Sequence, residues 1–320
     1  MQRIVRKDAN VVEFSRFLKP ALKVMRGESF VIETEDALCG RIRDENDLPV
    51  PEIFGSLFAT EPPSTNPVGG PVFVEGVEKG DVLVVEIIDV VPGEHGVTCI
   101  FPGVGPLQDS KTWEDLRGPA TRIIKHLPGP SGTLSDGRGR FSPRVTWDLH
   151  PFIGTIGVAP EREVQATLTT QGPWGGNLDV RDICKGNKLL LPAFNEGGML
   201  FAGDVHGSQA DTEFYGVADE TRGELTLGCD VIKRKRIPFP RIETPKSIIQ
   251  LACYRPMEEA VKQAILWLME WLVEDFGFDR KEAYMHMGVN PEVRVNIYQM
   301  VALDRLQYTV GVEFPKEFLS

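Results

Sequence analysis

The apolar positions of this chain are grouped mostly as strands are. Val82 to Val91 reads VLVVEIIDVV, β-branched and partly alternating, and similar runs occur at Leu189 to Leu191, Leu225 to Leu227, Ile248 to Ala252 and Gln307 to Val312. Glycine and proline turns separate them. One segment instead has the helical period: from Pro256 to Phe276, the residues Val261, Ala264, Ile265, Leu268, Met269 and Leu272 share a stripe, with proline at the start and Gly277 at the end. A shorter helix is expected over Arg280 to Met287 behind Asp279 as N-cap, leading through Asn290-Pro291 into a strand around Val293 to Val301. The stretch from Val104 to Pro143, rich in glycine and proline, reads as extended surface loops near a site or a subunit contact.

Strands that do not alternate with helices argue against a Rossmann or TIM-type parallel sheet. The pattern therefore predicts a β-rich α+β fold, a layered sandwich or barrel-like arrangement of sheets with a small C-terminal helical element. The 320 residues are expected to form one unit, or two interlocked β-rich subdomains over about 1–160 and 161–320. No internal repeat or low-complexity tract is visible.

Charge narrows the partners. With 35 basic against 46 acidic residues the net charge is -11, which disfavours nucleic acid and anionic membranes, since both require clustered cations. The basic run Lys233-Arg234-Lys235-Arg236 reads as a solvated loop. Five cysteines without a CxxC pair point to neither a zinc knuckle nor a disulfide framework, and a reducing cytoplasm is the expected compartment. No stretch approaches the roughly 18 consecutive apolar residues of a membrane span, and the first residues lack the apolar core of a secretion signal.

The densest chemistry follows the apolar run Met199-Leu200-Phe201-Ala202, where the chain reads GDVHGSQADTEFYG. On a strand, Asp204 and His206 fall on one face, where a carboxylate oxygen and an imidazole nitrogen can reach one cation. Such a donor set suits zinc or another divalent transition ion, with calcium the choice for an all-oxygen position. The competing reading is a polar hairpin after a buried strand. Upstream, Gly175-Gly176-Asn177-Leu178-Asp179 forms a tight loop that ends in an amide and a carboxylate, or a plain Asx-type turn.

These residues carry a resemblance. The block GGNLDVRDICKGNKLLLPAFNEGGMLFAGDVHGSQADTEFYGVADE, Gly175 to Glu220, resembles the acetamidase/formamidase family, with its GGNxD loop and EGxxFxxGDxHxxQxDxE segment. Glu33 to Ala37, Asn66 to Gly76, Val77 to Leu83 and His150 to Pro160 are similar to further elements of that family, in the same order. Val205 stands where the family often has glycine, Gly69 where threonine is common, and His286 where relatives have an EAYxLLS-like helix.

The resemblance implies hydrolysis of a small carboxamide, linear or cyclic, to carboxylate and ammonia by a metal-dependent enzyme of layered β fold, often a homodimer. In these terms Asp204 and His206 ligate the metal with help from Asp36 or Asp179, Glu75 or Glu213 moves the proton, and Asn177 orients the amide. Gln209 and Asp211 are expected to fix the His206 tautomer. His150 is a second ligand, a substrate donor or a packed loop histidine, whereas His95, His126 and His286, without acidic companions nearby, read as structural. A serine route lacks its G-x-S-x-G elbow, and Cys184 has a single adjacent cation to lower its pKa. From a different class, a non-catalytic metal-dependent β-sandwich binder would need the ligands but no free carboxylate.

Overall fold

The computed structural model describes residues 1–319. Its strands form two large open sheets. The nine-stranded sheet runs in the order Gln2–Ile4, Ser29–Thr34, Gly223–Ile232, Val82–Pro92, Lys188–Pro192, Arg241–Glu243, Ser247–Tyr254, Tyr308–Pro315, Arg294–Gln299. In the eleven-stranded sheet the order is Val145–Asp148, Arg138–Ser142, Ala120–Leu127, His95–Ile100, Glu220–Thr221, Leu200–His206, Phe152–Val158, Gly175–Asn177, Gln171–Gly172, with Val68–Val74 and Leu22–Val24 branching from the Leu200 end of its central strand. The fold is β-rich and layered as expected, but neither sheet closes into a barrel.

Every strand anticipated from the apolar runs is present. Each proves longer than its apolar centre or agrees with it to a few residues, because pairing extends a strand into flanking polar positions. Side chains from both sheets meet in one core, with Leu83, Ile87, Leu225 and Leu227 from the first and Ile153, Ile156, Leu200 and Ala202 from the second. Both sheets draw on both halves of the sequence. Val82–Pro92, for example, lies between Lys188–Pro192 and Gly223–Ile232, in register Val85 with Leu189 and Leu225 with Val90.

The long helix, Met257–Phe276, lies against Ser247–Tyr254 and Tyr308–Pro315 and buries Ala260, Ala264, Leu268, Trp271 and Leu272 there. Small alanines let it sit close to the sheet. Gly277, at φ 72°, takes the left-handed conformation that ends it, and Asp279 caps the next helix by accepting from the amides of Lys281 and Glu282. The loop reading of 104–143 needs correction. Ala120–Leu127 and Arg138–Ser142 are paired strands of the larger sheet towards its Val145–Asp148 edge, disguised by Arg122, Lys125 and Arg140 on a largely solvated face. A short helix, Pro51–Phe58, was also illegible, since so few residues show no period.

Candidate active site

The strand Leu200–His206 is buried at every position, because it is flanked on one side by Phe152–Val158 and on the other by Val68–Val74 and Glu220–Thr221. Alternation places Asp204 and His206 on the same face, with Asp204 Oδ1 3.3 Å from His206 Nε2. Directly across the strand pair from His206 stands Glu220, whose Oε2 is 3.2 Å from the same nitrogen. Two further carboxylates arrive from turns: Asp179 from the loop after Asn177, and Glu213 from the single turn Asp211–Glu213. One donor atom from each of Asp179, His206 and Glu213 lies within 4.8 Å of the other two, and the same holds for Asp204, His206 and Glu220.

Backbone strain collects here. Asp179, Asp204 and Glu213 all have positive φ, at 52°, 59° and 41°, a left-handed conformation that L side chains adopt at a cost of roughly 1–2 kcal/mol each. Gly154 leaves the space that Asp204 fills; a Cβ there would meet Asp204 Oδ2 at 2.7 Å and Asp179 Oδ1 at 3.0 Å.

The imidazole is held in one tautomer. Gln209 donates both protons of Nε2, to the carbonyl oxygens of Asp179 at 2.9 Å and Tyr298 at 3.0 Å, so its Oε1 must accept from His206 Nδ1, 3.0 Å away. Nε2 of His206 is thereby turned to the carboxylates, and the Phe152 ring closes one side of the imidazole at 4.9 Å. Behind Asp204, Thr155 accepts from Asn66 and offers its one proton to Asp204 Oδ2 and Asn177 Oδ1.

Four carboxylates in so small a buried volume cannot all ionise unaided. Burial, together with the charges of Asp204 and Glu220, pushes Asp179 up to about 7, and burial with the neighbouring Asp179 raises Glu213 well above the usual range. Glu220 is raised by burial too, though His206 opposes this. Burial works against charge on His206 and Asp204, but their mutual attraction, with Glu220 also facing His206, outweighs it: the imidazole is raised and Asp204 lowered. None of the four carboxylates pairs with a Lys or Arg among the described residues, and Asp204 Oδ1 and Glu220 Oε2 are buried without a hydrogen-bond partner. A divalent cation would satisfy both orphaned oxygens and offset the surplus charge, so the donor set fits one.

The sequence-derived candidates separate clearly. Asp204, His206, Asp179 and Glu213 converge, and Gln209 lies against His206 Nδ1. Glu220, which completes the cluster, was missed; its one signal was its place at the end of the family-like block. Asp36 is half-buried outside the cluster, on a cavity of about 390 Å³ that also reaches Glu220, and burial of its carboxyl pushes it up to about 6. Asn177 does not face a substrate space: its Oδ1 accepts from Thr155 and its Nδ2 donates to the Leu168 carbonyl, so it braces the frame. Glu75 is exposed beyond the end of Val68–Val74 that is remote from Gly203, its amide donating to the Val24 carbonyl, and takes no part in the cluster. Asp211 pairs with Arg181 at the surface, because the turn through Thr212 at φ 75° sends Glu213 inward and Asp211 outward. His126 has an acidic partner after all, Asp219 at 3.1 Å, but away from the cluster.

A cavity of about 770 Å³ opens over the cluster, with Glu213, Gln209 and Asp182 in its wall and exposed His150 at its edge. Cys184 also lines it, yet burial and the nearby Asp182 push that thiol up to about 11, leaving it protonated. Ser208 donates to Asp219 and accepts from Trp147, with no histidine bonded to it.

Comparison with known proteins follows the same lines. The family described as "Acetamidase/Formamidase family" matches residues 14–172 and 167–317. A putative formamidase of Schizosaccharomyces pombe is 29% identical over 259 residues, 67% of this chain and 62% of that protein, so the match spans less than two thirds of that relative. An acetamidase of Mycolicibacterium smegmatis is 29% identical over 70% of this chain and 73% of its own. The crystal structure of an acetamidase from Yersinia enterocolitica superposes with a TM-score of 0.86 at 32% identity, covering 100% of this chain and 93% of the other.

Proposed function

The chain belongs to the acetamidase/formamidase family, hydrolases of carbon–nitrogen bonds other than peptide bonds, and from that premise we propose that it cleaves a small neutral carboxamide, linear or cyclic, by a metal-activated water. The observation that carries this reading is the buried convergence of His206 Nε2 with the orphaned oxygens of Asp204 and Glu220, beside a carboxyl, Glu213, that reaches the cavity. His206, Asp204 and Glu220 would hold the ion, with Asp179 beside them; an imidazole among carboxylates favours zinc over calcium. A divalent ion supplies Lewis acidity toward the amide carbonyl and acidifies water.

The remaining work belongs to side chains of the chain itself. Amide hydrolysis needs a proton delivered to a poor leaving nitrogen, and Glu213 is the one carboxyl of the cluster in the cavity wall. Gln209 holds the His206 ring so that Nε2 would face a bound ion, and Thr155 fixes Asp204. Burial of the whole cluster excludes bulk water, which strengthens each of these interactions.

Ammonia release from formamide, acetamide, longer amides and lactams, before and after chelation, tests the assignment. We expect turnover to vanish with the chelator and return with zinc, and His206→Ala to lose both metal and activity. Undiminished turnover by chelated protein or by His206→Ala would refute it.

A further inference from the structure

Formamide and acetamide are little larger than two or three water molecules, each about 30 Å³ of liquid. The cavity above Glu213 has about 770 Å³, within the roughly 300–1,000 Å³ of sites that enclose much larger ligands. Its wall is also wrong for a tiny polar molecule. Alongside its polar groups it carries four aromatic rings, Phe141, Trp147, Phe214 and Tyr215; the Phe141 and Trp147 rings lie 6.2 Å apart, tilted by 37°, and those of Phe214 and Tyr215 are 5.2 Å apart, edge to face. The Tyr215 hydroxyl is taken by Thr98 at 2.6 Å, which leaves the ring as its contribution.

The apolar character continues. A second cavity of about 470 Å³ shares Thr98, Phe141, Phe214 and Tyr215 with the first and extends past them to Leu107 and Leu116. Phe141 and Phe214 remain 37% and 42% exposed, aromatic surface that an apolar ligand would remove from water at the mouth of a buried polar site. Charge excludes an acidic ligand: Asp148, Asp182, Asp211, Glu213 and Asp219 line the first cavity, against Arg181, which is already paired with Asp211.

We propose that the preferred substrates are neutral primary amides bearing a bulky apolar group, aryl or medium-length alkyl, seated against the Phe141, Trp147, Phe214 and Tyr215 wall with the amide at Glu213. This substrate class presupposes the amidase activity proposed above.

The experiment measures kcat/KM for acetamide, butanamide, hexanamide and phenylacetamide, with calorimetric titration of phenylacetamide and acetamide alongside. Each methylene that leaves water raises kcat/KM about fourfold, so the alkyl series climbs with length. Phenylacetamide exceeds acetamide at least tenfold. In a Trp147→Ala, Phe214→Ala double variant the phenylacetamide-to-acetamide ratio falls toward one; should that protein not fold, Phe214→Leu alone lowers the ratio. A series that falls with length while acetamide is turned over overturns the substrate class and leaves the amidase reading intact. If no amide is hydrolysed, the amidase reading fails, and the titration decides the cavity: saturable binding of phenylacetamide, tighter than acetamide, supports the aromatic seat, and its absence overturns it.

Discussion

Replacing Gly154 with alanine tests whether the carboxylate cluster depends on a missing methyl group. The added Cβ would stand 2.7 Å from Asp204 Oδ2 and 3.0 Å from both Asp179 Oδ1 and the Asp204 carbonyl oxygen, where ordinary contact begins near 3.4 Å. Asp204 has little room to retreat, since its Oδ2 is tied to Thr155 at 2.9 Å and its backbone already sits at φ 59°. Overpacking of this kind costs about 1–3 kcal/mol in stability. If Asp204 ligates the proposed metal, displacing it should also lower metal affinity by about 10–100-fold, the scale seen when the support of a ligand is lost. Gly69→Ala provides the control: its Cβ would meet Ile32 Cγ2 at 2.4 Å and Ala9 Cβ at 3.3 Å, apolar atoms of the main core without a carboxylate. Urea unfolding of chelated protein, with metal content by atomic emission, separates the two effects. Both variants are expected to be destabilised, but Gly154→Ala alone should lose metal. Wild-type metal content and turnover in Gly154→Ala would refute the role given to this glycine.

Gln209→Leu should leave the carbonyls of Asp179 and Tyr298 without donors and release the His206 ring, lowering metal affinity about 10–100-fold by competition titration; unchanged affinity would show that the tautomer is set elsewhere. Tyr298→Phe removes the donor 2.5 Å from Asp182 Oδ2 and should cost about 1–3 kcal/mol in urea unfolding, with a wild-type midpoint counting against that bond. Asp81 accepts from Lys233 Nζ at 2.6 Å and from the amides of Glu78 and Arg234 at 2.8 and 2.9 Å; burial alone would raise its pKa, but these donors prevail and hold it below the usual range. Because the folded value is depressed, its stabilisation is full above the unfolded-chain pKa of about 3.9 and fades as pH falls through the folded value. Asp81→Asn should therefore be about 1–3 kcal/mol less stable than wild type near pH 7, with the gap narrowing below about pH 4; a gap that widens with acid would reverse the sign.

What the residue pattern could and could not reveal follows from how far apart the cooperating groups lie in the chain. Asp204 and His206 were legible because two residues on one strand share a face whatever surrounds them. Glu220 was not, since it meets His206 only through pairing of Glu220–Thr221 with Leu200–His206. Glu75 misled for a related reason: Val68–Val74 is buried on nearly every residue, so no alternation tells which side its end faces. Gln209 and Asp211 both follow His206 within five residues, and the positive φ values of Thr212 and Glu213 decide which of Asp211 and Glu213 turns inward. The role of Asn177 depended on partners at Thr155 and Leu168 that no local reading supplies. Of the fold, the strands with apolar centres and the long helix were visible, while Ala120–Leu127 became a strand only by pairing with His95–Ile100.

The threading of both sheets through both halves of the sequence has a consequence for biosynthesis. When the ribosome has made the first half, Val82–Pro92 has emerged but neither of its neighbours, Lys188–Pro192 and Gly223–Ile232, exists, and the strand holding His206 is still unmade. The nascent chain must then carry long apolar edges until its partners arrive, a delay that favours slow maturation and reliance on chaperones. Cutting the gene near its midpoint should yield two insoluble fragments that regain structure only when refolded together.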